Sequence, residues 1–395
     1  MPLENPWVFL TLWMGAAFLA AVIALQLRVS VALMEVLVGI LMSHLLGLSE
    51  PAEWMVFLAR LGSVTLAFLA GTEIDPGSFR RHAVSSVIIG LLSFLLPFGL
   101  IYLLVHSVLG WGQGQSLITG IALATTSVAI VYTAVVEQGM EATRFGQILL
   151  TSCFVTDFSS VLSLGLFFTR WSPSSGFFLI LALLLLLALP FSLRPLLGWL
   201  KRSPVSEPEI KFLFLVLSLL GALASIAQTE PVLPAYVAGV LVAKSFATDR
   251  ELVRRMRSLA YGLLTPFFFM KAGFHISLHA LVYGLLPILV FFGLKFLSKV
   301  IAVWPALRVL RFSHREALFG SLLTSGGLTF GFIAAHDGVQ QGILARQQYS
   351  QVTIAILLST LIPVIGASRL FPRPAAGTRE RERKLAKPGE FEEEG

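Results

Sequence analysis

Ser152-Cys153-Phe154-Val155-Thr156-Asp157-Phe158-Ser159-Ser160 lies at the middle of an apolar run that extends from about 145 to 169. Coiled as a helix at about 1.5 Å per residue, such a run matches the roughly 30 Å hydrocarbon thickness of a bilayer. Asp157 then sits close to the midplane, where an ionised side chain costs about 2.5–3.5 kcal/mol on insertion scales. A carboxylate persists at that depth only inside a helix bundle or beside a water-filled cavity. The stretch therefore decides the fold class: a polytopic membrane protein with an ionisable group in its interior.

The rest of the chain agrees. Of 395 residues, 56% are hydrophobic and 13% charged, and the mean hydropathy is +0.83. Soluble domains run near 45–50% apolar and about 25% charged, so a water-soluble fold is excluded at this size. The net charge of +7 does not point to nucleic acid, because Lys and Arg sit in short loops between apolar runs and form no basic domain. The single cysteine, Cys153, excludes an internal disulfide, and no Cys/His cluster has metal spacing. Cys153 reads as a small packing residue, and no cofactor or enzymatic chemistry is expected. The segment before Trp7 carries Glu4 and no Lys or Arg, so the first apolar run reads as a retained helix and not as a secretory signal.

Apolar runs of spanning length fall near 7–27, 29–47, 54–73, 83–110, 116–138, 145–169, 175–200, 209–227, 231–248, 258–275, 280–306, 314–336 and 350–370. These spans, about thirteen, form one all-α integral membrane domain over residues 1–371. If odd-numbered connections face the cytoplasm, the loop cations from Arg28, Arg80 and Arg81 through to Arg308, Arg311 and Arg315 lie on that side. The opposite loops then hold only Arg170 and Arg346. Positive charge inside sets the amino terminus outside and the carboxyl terminus in the cytoplasm, in a cell's inner (plasma) membrane. Residues 372–395 turn to Arg, Glu and Lys and are expected to form a disordered cytoplasmic tail, with no regulatory nucleotide-binding domain.

Asp157 is the only acidic residue that this reading places at midplane depth. Its oxygens suit a hard cation such as sodium and equally accept a proton, so one group holds either and not both. That competition is the elementary chemistry of exchange. The structural alternative is an aspartate permanently paired with a lysine to hold two helices together. The fifth span has a polar centre, Ala124-Thr125-Thr126-Ser127, and the twelfth has Thr324-Ser325-Gly326-Gly327-Leu328-Thr329-Phe330-Gly331. Unwound at those centres, both would offer free carbonyls to cations and helix ends to charges. Spans four to six and eleven to thirteen are separated by an odd offset, so the two triplets run in opposite directions, as inverted repeats do. The bland alternative is close packing by glycine and hydroxyls bonded to their own helix. On the functional reading Asp157 carries the cation (Na+) or the proton. Thr125, Thr126, Ser127 and Thr156 are candidate ligands or neighbours, and Ser325, Gly326, Gly327 and Thr329 mark the second crossing segment.

Four basic residues fall inside spans. Lys295 and Lys299 are one turn apart on the eleventh, hence on one face. Lys295 is nearer the midplane; Lys299 is nearer the cytoplasmic end, where snorkelling is open to it. At least one is expected to face the core. Lys271, toward the outer end of the tenth span, is expected to snorkel to the interface. Arg60 has no partner visible in sequence. Glu73 and Asp75, closing the third span, are expected to form a solvated salt bridge with the adjacent Arg80 and Arg81.

Four segments together resemble the cation:proton antiporter-2 family of bacterial sodium/hydrogen exchangers. They are Phe68-Leu69-Ala70-Gly71-Thr72-Glu73-Ile74-Asp75, Leu233-Pro234-Ala235-Tyr236-Val237-Ala238-Gly239, Cys153 to Asp157, and Thr324 to Ile333 with Tyr349-Ser350 following. The resemblance covers almost the whole membrane domain. It implies a thirteen-helix fold with crossed broken helices at spans five and twelve and assembly as a homodimer. It also implies a panel (about 7–73 and 209–275) beside a mobile core (about 83–169 and 280–370). By motif Asp157 takes the place of the ion-binding aspartate, and Lys299 matches the family's lysine better than Lys295, which depth alone would favour. Electrogenic members carry two adjacent aspartates, whereas the first position here is Thr156.

The expected activity is thus electroneutral Na+/H+ antiport by alternating access, with K+/H+ (or Li+/H+) exchange as the alternative. A gated cation channel ranks below both. An intramembrane aspartyl protease needs paired aspartates, and only one lies at midplane depth.

Overall fold

The computed structural model describes residues 5–27, 30–45, 53–73, 76–140, 143–168, 173–200, 207–226, 231–274, 276 and 284–370. The expected tail, Asp75 and Arg170 lie outside the described residues. Among those residues every regular element is helical. In chain order they are α1 (Pro6–Leu27), α2 (Val31–Leu45), α3 (Glu53–Thr72), α4 (Pro76–Leu103, wound out through a π turn at Leu104–Val108), α5 (Gln113–Ala124), α6 (Val128–Glu137), α7 (Arg144–Phe168) and α8 (Pro173–Leu200). There follow α9 (Pro208–Ile226), α10 (Val232–Thr248), α11 (Arg250–Leu259, joined by a π turn at Ala260–Leu264 to α12, Thr265–Phe274), α13 (Leu285–Val309), α14 (His314–Ser325), α15 (Thr329–Gln340) and α16 (Arg346–Leu370).

Each expected span coincides with helix, and two of them are broken where their polar centres lie: α5 stops before Thr125 and α6 resumes at Val128, while α14 stops at Ser325 and α15 resumes at Thr329. Among the described residues, seven helical stretches are individually long and apolar enough to cross a bilayer. Phe18, Phe57, Val84, Phe191 and Val309 are exposed, the pattern of a bundle that turns apolar side chains to lipid because helices already satisfy their own backbone.

Where lipid and core are equally apolar, close van der Waals approach through small residues holds helices together. Two helix pairs show this from both partners. On α3 and α10, a Cβ added to Gly239 would overlap the Phe68 carbonyl, and one added to Gly71 would meet the Tyr236 carbonyl. On α2 and α12, Gly39 abuts the Met270 backbone and Gly273 abuts Val36. An aromatic cluster of Phe9, Trp13, Phe267 and Phe274 fills the space between α1 and α12. In a second group, α4 packs against α7, and α13 against α4, α14 and α16. Its apolar interior includes Ile89, Val131, Phe145, Val303 and Phe319.

One expectation about charge is corrected, and two observations add to the others. Glu73 pairs with Arg257 of α11 at 2.8 Å, and not with Arg80 or Arg81, which are exposed on α4. The segment linking α11 to α12 runs alongside the end of α3, and a partner distant in sequence thereby displaces two near ones. Asp157 is not the only buried carboxylate: Glu35 of α2 is buried as well. It lies off-centre in a short span, where sequence depth alone did not mark it. Arg60 is exposed on α3. At the surface of α11, hydrogen bonds from Arg254 and Arg255 hold the Glu251 carboxyl below its ordinary range.

Gly239→Ala is expected to lower the stability of the detergent-solubilised protein by about 1–3 kcal/mol, the usual cost of overpacking. Gly15→Ala, with nothing within 4 Å of the added carbon, is expected to be neutral or mildly stabilising. Thermal unfolding of the two variants side by side checks the contrast, and equal melting temperatures would refute the close-packing assignment.

Candidate functional site

The two breaks meet. Ser127 donates its backbone N–H to the Gly326 carbonyl at 2.7 Å, and the Thr126 hydroxyl donates to the Thr324 carbonyl at 3.0 Å. Gly327 lies directly against Thr125: a Cβ there would overlap the Thr125 carbonyl and stand 2.5 Å from its hydroxyl oxygen. The local sequence explains the unwinding. Gly326 and Gly327 are poor helix formers, and Thr and Ser hydroxyls compete with the backbone for its own bonds. Thr125 donates to the Ala122 carbonyl at 3.0 Å, Thr324 to Ser321 at 3.1 Å and Ser325 to Leu322 at 2.6 Å, so the last carbonyls of α5 and α14 are capped by side chains. Thr329, half-buried, opens α15. At this crossing the C-terminal ends of α5 and α14 carry partial negative charge and the N-terminal ends of α6 and α15 partial positive charge.

Two lysines of α13 reach the crossing. Lys299 is fully buried; its ammonium donates to Ser93 of α4 at 3.0 Å and to Thr126 at 2.8 Å. Because Thr126 in turn donates to Thr324, one chain of hydrogen bonds ties α13, α4 and both breaks together. Lys295 is also fully buried, makes no hydrogen bond among the described residues, and would lie 2.8 Å from a Cβ on Gly327. Snorkelling by Lys299 is therefore corrected. It reaches inward across α4, not outward to the interface.

Asp157 is 1% exposed near the centre of α7, and its Oδ1 has no hydrogen-bond partner among the described residues. Lys299 acts on it electrostatically, yet no ion pair joins them among the described residues. The permanent lysine clamp is thus not what the geometry shows. Thr156 donates to the Gly90 carbonyl of α4 at 3.2 Å and to Ser152 at 3.1 Å, and Ser160 donates back to Thr156 at 2.9 Å. The Tyr236 hydroxyl, from α10, donates to the Phe154 carbonyl at 3.3 Å. Of the sequence candidates, Thr125, Thr126, Ser127, Ser325, Gly326 and Gly327 converge at the crossing. Thr156 is engaged with α4, and its hydroxyl anchors a helix contact. Among the described residues no three His, Cys, Asp or Glu side chains form a metal cluster, so a cation here would rest on one carboxylate and on carbonyl and hydroxyl oxygens.

Sequence reasoning missed Ser93 and Lys271. Ser93 lies three residues past Gly90 on the face of α4 turned to α7 and α13, and that periodicity was the available signal. Lys271, expected at the interface, is 1% exposed, with Nζ 3.3 Å from Nε2 of His336 on α15. A buried polar partner from another helix replaces the lipid headgroup region.

Thr126→Val, which keeps shape and removes both bonds, is expected to destabilise the protein by about 1–3 kcal/mol, the cost of leaving a buried ammonium short of a partner. A melting temperature equal to that of the unaltered protein would show that Lys299 does not depend on Thr126.

Comparison with known proteins agrees with the fold. The chain is 27% identical over 336 residues to the "Probable Na(+)/H(+) antiporter 3" of Methanocaldococcus jannaschii, covering 81% of this chain and 85% of that one. It is 28% identical over 342 residues to the Na(+)/H(+) antiporter of Enterococcus hirae, covering 83% and 88%. The fold matches the solved structure of a sodium proton antiporter from M. jannaschii at pH 8, with a TM-score of 0.69 at 18% identity over 93% of this chain and 97% of that one. The family model for the transmembrane sodium/hydrogen exchanger matches residues 14–371, and the chain, a multi-pass helical membrane protein with two broken helices crossed beside a buried aspartate, belongs to that family.

Proposed function

We propose that this protein exchanges a monovalent cation for a proton by alternating access, with Asp157 as the shared site. The observation that carries the reading is the buried carboxylate itself. It lies at mid-helix beside the crossed breaks, with an oxygen that no described residue engages and a lysine near enough to feel its charge but not paired to it. A carboxylate so placed has two ways to lose its charge in a membrane: to take a proton or to take a cation. Each allows the loaded group to cross; the bare anion is held back by the same desolvation cost. Lys299 is bound to Ser93 and Thr126 and so is committed to the crossing and not to Asp157.

One titrating group in the cycle makes the exchange one for one, and Thr156 supplies hydrogen bonding but no second negative charge. Sodium is the first cation to test, because the relatives described above are named for it, with potassium and lithium as parallel arms. The side carrying Arg80, Arg81, Arg254 and Arg315 faces the cytoplasm, on the positive-inside bias, in the inner membrane of the cell. The working unit is a homodimer, as the family resemblance implies.

Asp157→Asn, reconstituted in liposomes with a pH-sensitive dye, is expected to lose cation-driven proton flux entirely while melting near the unaltered protein, since an amide cannot titrate. Flux near the unaltered level would overturn the assignment. Stoichiometry has its own test. A potential of 100 mV is worth about 2.3 kcal/mol per net charge moved, so a potassium-valinomycin clamp displaces electrogenic exchange and leaves one-for-one exchange at its equilibrium ratio. A null point that moves with voltage would refute electroneutrality while leaving exchange itself standing.

A further inference from the structure

Away from the crossing, Lys271 and His336 make a buried polar contact that the exchange chemistry does not use. They are 1% and 5% exposed, and Nζ lies 3.3 Å from Nε2. Their helices have different main neighbours: α12 lies against α1, α2 and α3, and α15 chiefly against α5 and α16, with smaller contacts to α3 and α7. A second bond crosses the same boundary one residue on, from the Tyr349 hydroxyl of α16 to the Ala272 carbonyl at 2.8 Å. Phe268 stands edge-on to the His336 ring. Lys271 is separated along the helix from Arg257 by about 20 Å at 1.5 Å per residue, which puts the contact on the half of the membrane away from the Arg257–Glu73 pair.

The charged and titratable groups among the described residues of the neighbouring helices are these. Arg60 of α3 and Asp337 of α15 act on Lys271. The helix α2 carries Glu35 and His44, α3 begins with Glu53, α7 carries Arg144 and Asp157, and α16 begins with Arg346; α1 and α5 carry no charged residue.

We propose that Lys271 and His336 form a proton-responsive latch between the two helix groups, closed while His336 is neutral and released when it takes a proton. In the closed state the ammonium donates to the lone pair of a neutral imidazole. A proton on that nitrogen removes the acceptor and sets two cations face to face, with Arg60 adding to the repulsion and Asp337 offsetting part of it. Histidine is the side chain whose charge changes most readily in the physiological pH range, so acid on the outer side opens the side from which Asp157 must be protonated. The His336 proton arrives from and returns to that same side, and the count of ions per cycle is unchanged. The consequence for transport rests on the exchange reading above; the latch itself does not.

Hydrogen–deuterium exchange on the full chain, corrected for the intrinsic pH dependence of the rate, tests the latch without transport. In the unaltered protein, amides of α12 and α15 are expected to exchange about tenfold faster at pH 5.5 than at pH 8, the loss of one charge-assisted bond. His336→Gln, which accepts from Lys271 without titrating, is expected to abolish that change, and Lys271→Met to give fast exchange at both pH values. In proteoliposomes with the inner pH fixed, His336→Gln is expected to retain exchange but lose its dependence on outer pH. A pH response unchanged in His336→Gln, or slow exchange retained in Lys271→Met at pH 8, would overturn the latch. A pH-dependent release in protein that shows no cation-driven proton flux would support the latch and refute the antiport reading instead.

Discussion

The interior of this protein is organised by one constraint: at the bilayer midplane no water is at hand for backbone groups that leave a helix. Unwinding two spans there frees N–H and carbonyl groups that would each cost several kcal/mol if left alone. The two breaks answer each other. Ser127 bonds Gly326, Thr126 bonds Thr324, and Gly327 has no side chain to keep Thr125 away. Neither break is stable without the other, so α5, α6, α14 and α15 are held in one arrangement by the satisfaction of their own backbones.

From that arrangement the electrostatics follow. Four half-helix ends meet in a low-dielectric interior, two of each sign, and the side chains that collect there are those the ends attract. Lys295 and Lys299 approach from α13, and Lys299 is bonded into the crossing through Thr126. Asp157 comes from the neighbouring α7 with an oxygen left over. A carboxylate satisfied on every side would be a structural pin. One with spare capacity, beside a lysine bonded elsewhere, has an oxygen free to accept, which is the observation on which the proposed exchange rests.

The Gly71–Gly239 approach joins α3 to α10 and the Gly39–Gly273 approach joins α2 to α12, backbone to backbone. Between those helices and the ones around the crossing the described side-chain bonds are sparse and single: Tyr236 to Phe154, Tyr349 to Ala272 and Lys271 to His336. Beside those bonds the boundary is apolar, with Phe269 edge-on to Phe332 and Tyr236 edge-on to Phe330.

Much of this was legible in the sequence. The spans, the two breaks and the depth of Asp157 are properties of individual segments in a fixed solvent: apolar length must match bilayer thickness, and a glycine- or hydroxyl-rich centre weakens a helix wherever it is. The motif also preferred Lys299 where depth preferred Lys295, and both proved to be buried at the crossing. The choice of partners was not legible. Glu73 has Arg80 and Arg81 close in sequence but bonds Arg257; Lys271, near a helix end, turns inward to His336; Glu35 is buried on a helix that gave no sign of it; Ser93 holds Lys299. Lys and Arg side chains reach several ångströms from their helix, and which neighbour stands within that reach depends on how the helices pack. Periodicity and hydropathy describe one helix against lipid, and the contact between two helices is decided only when the whole bundle closes.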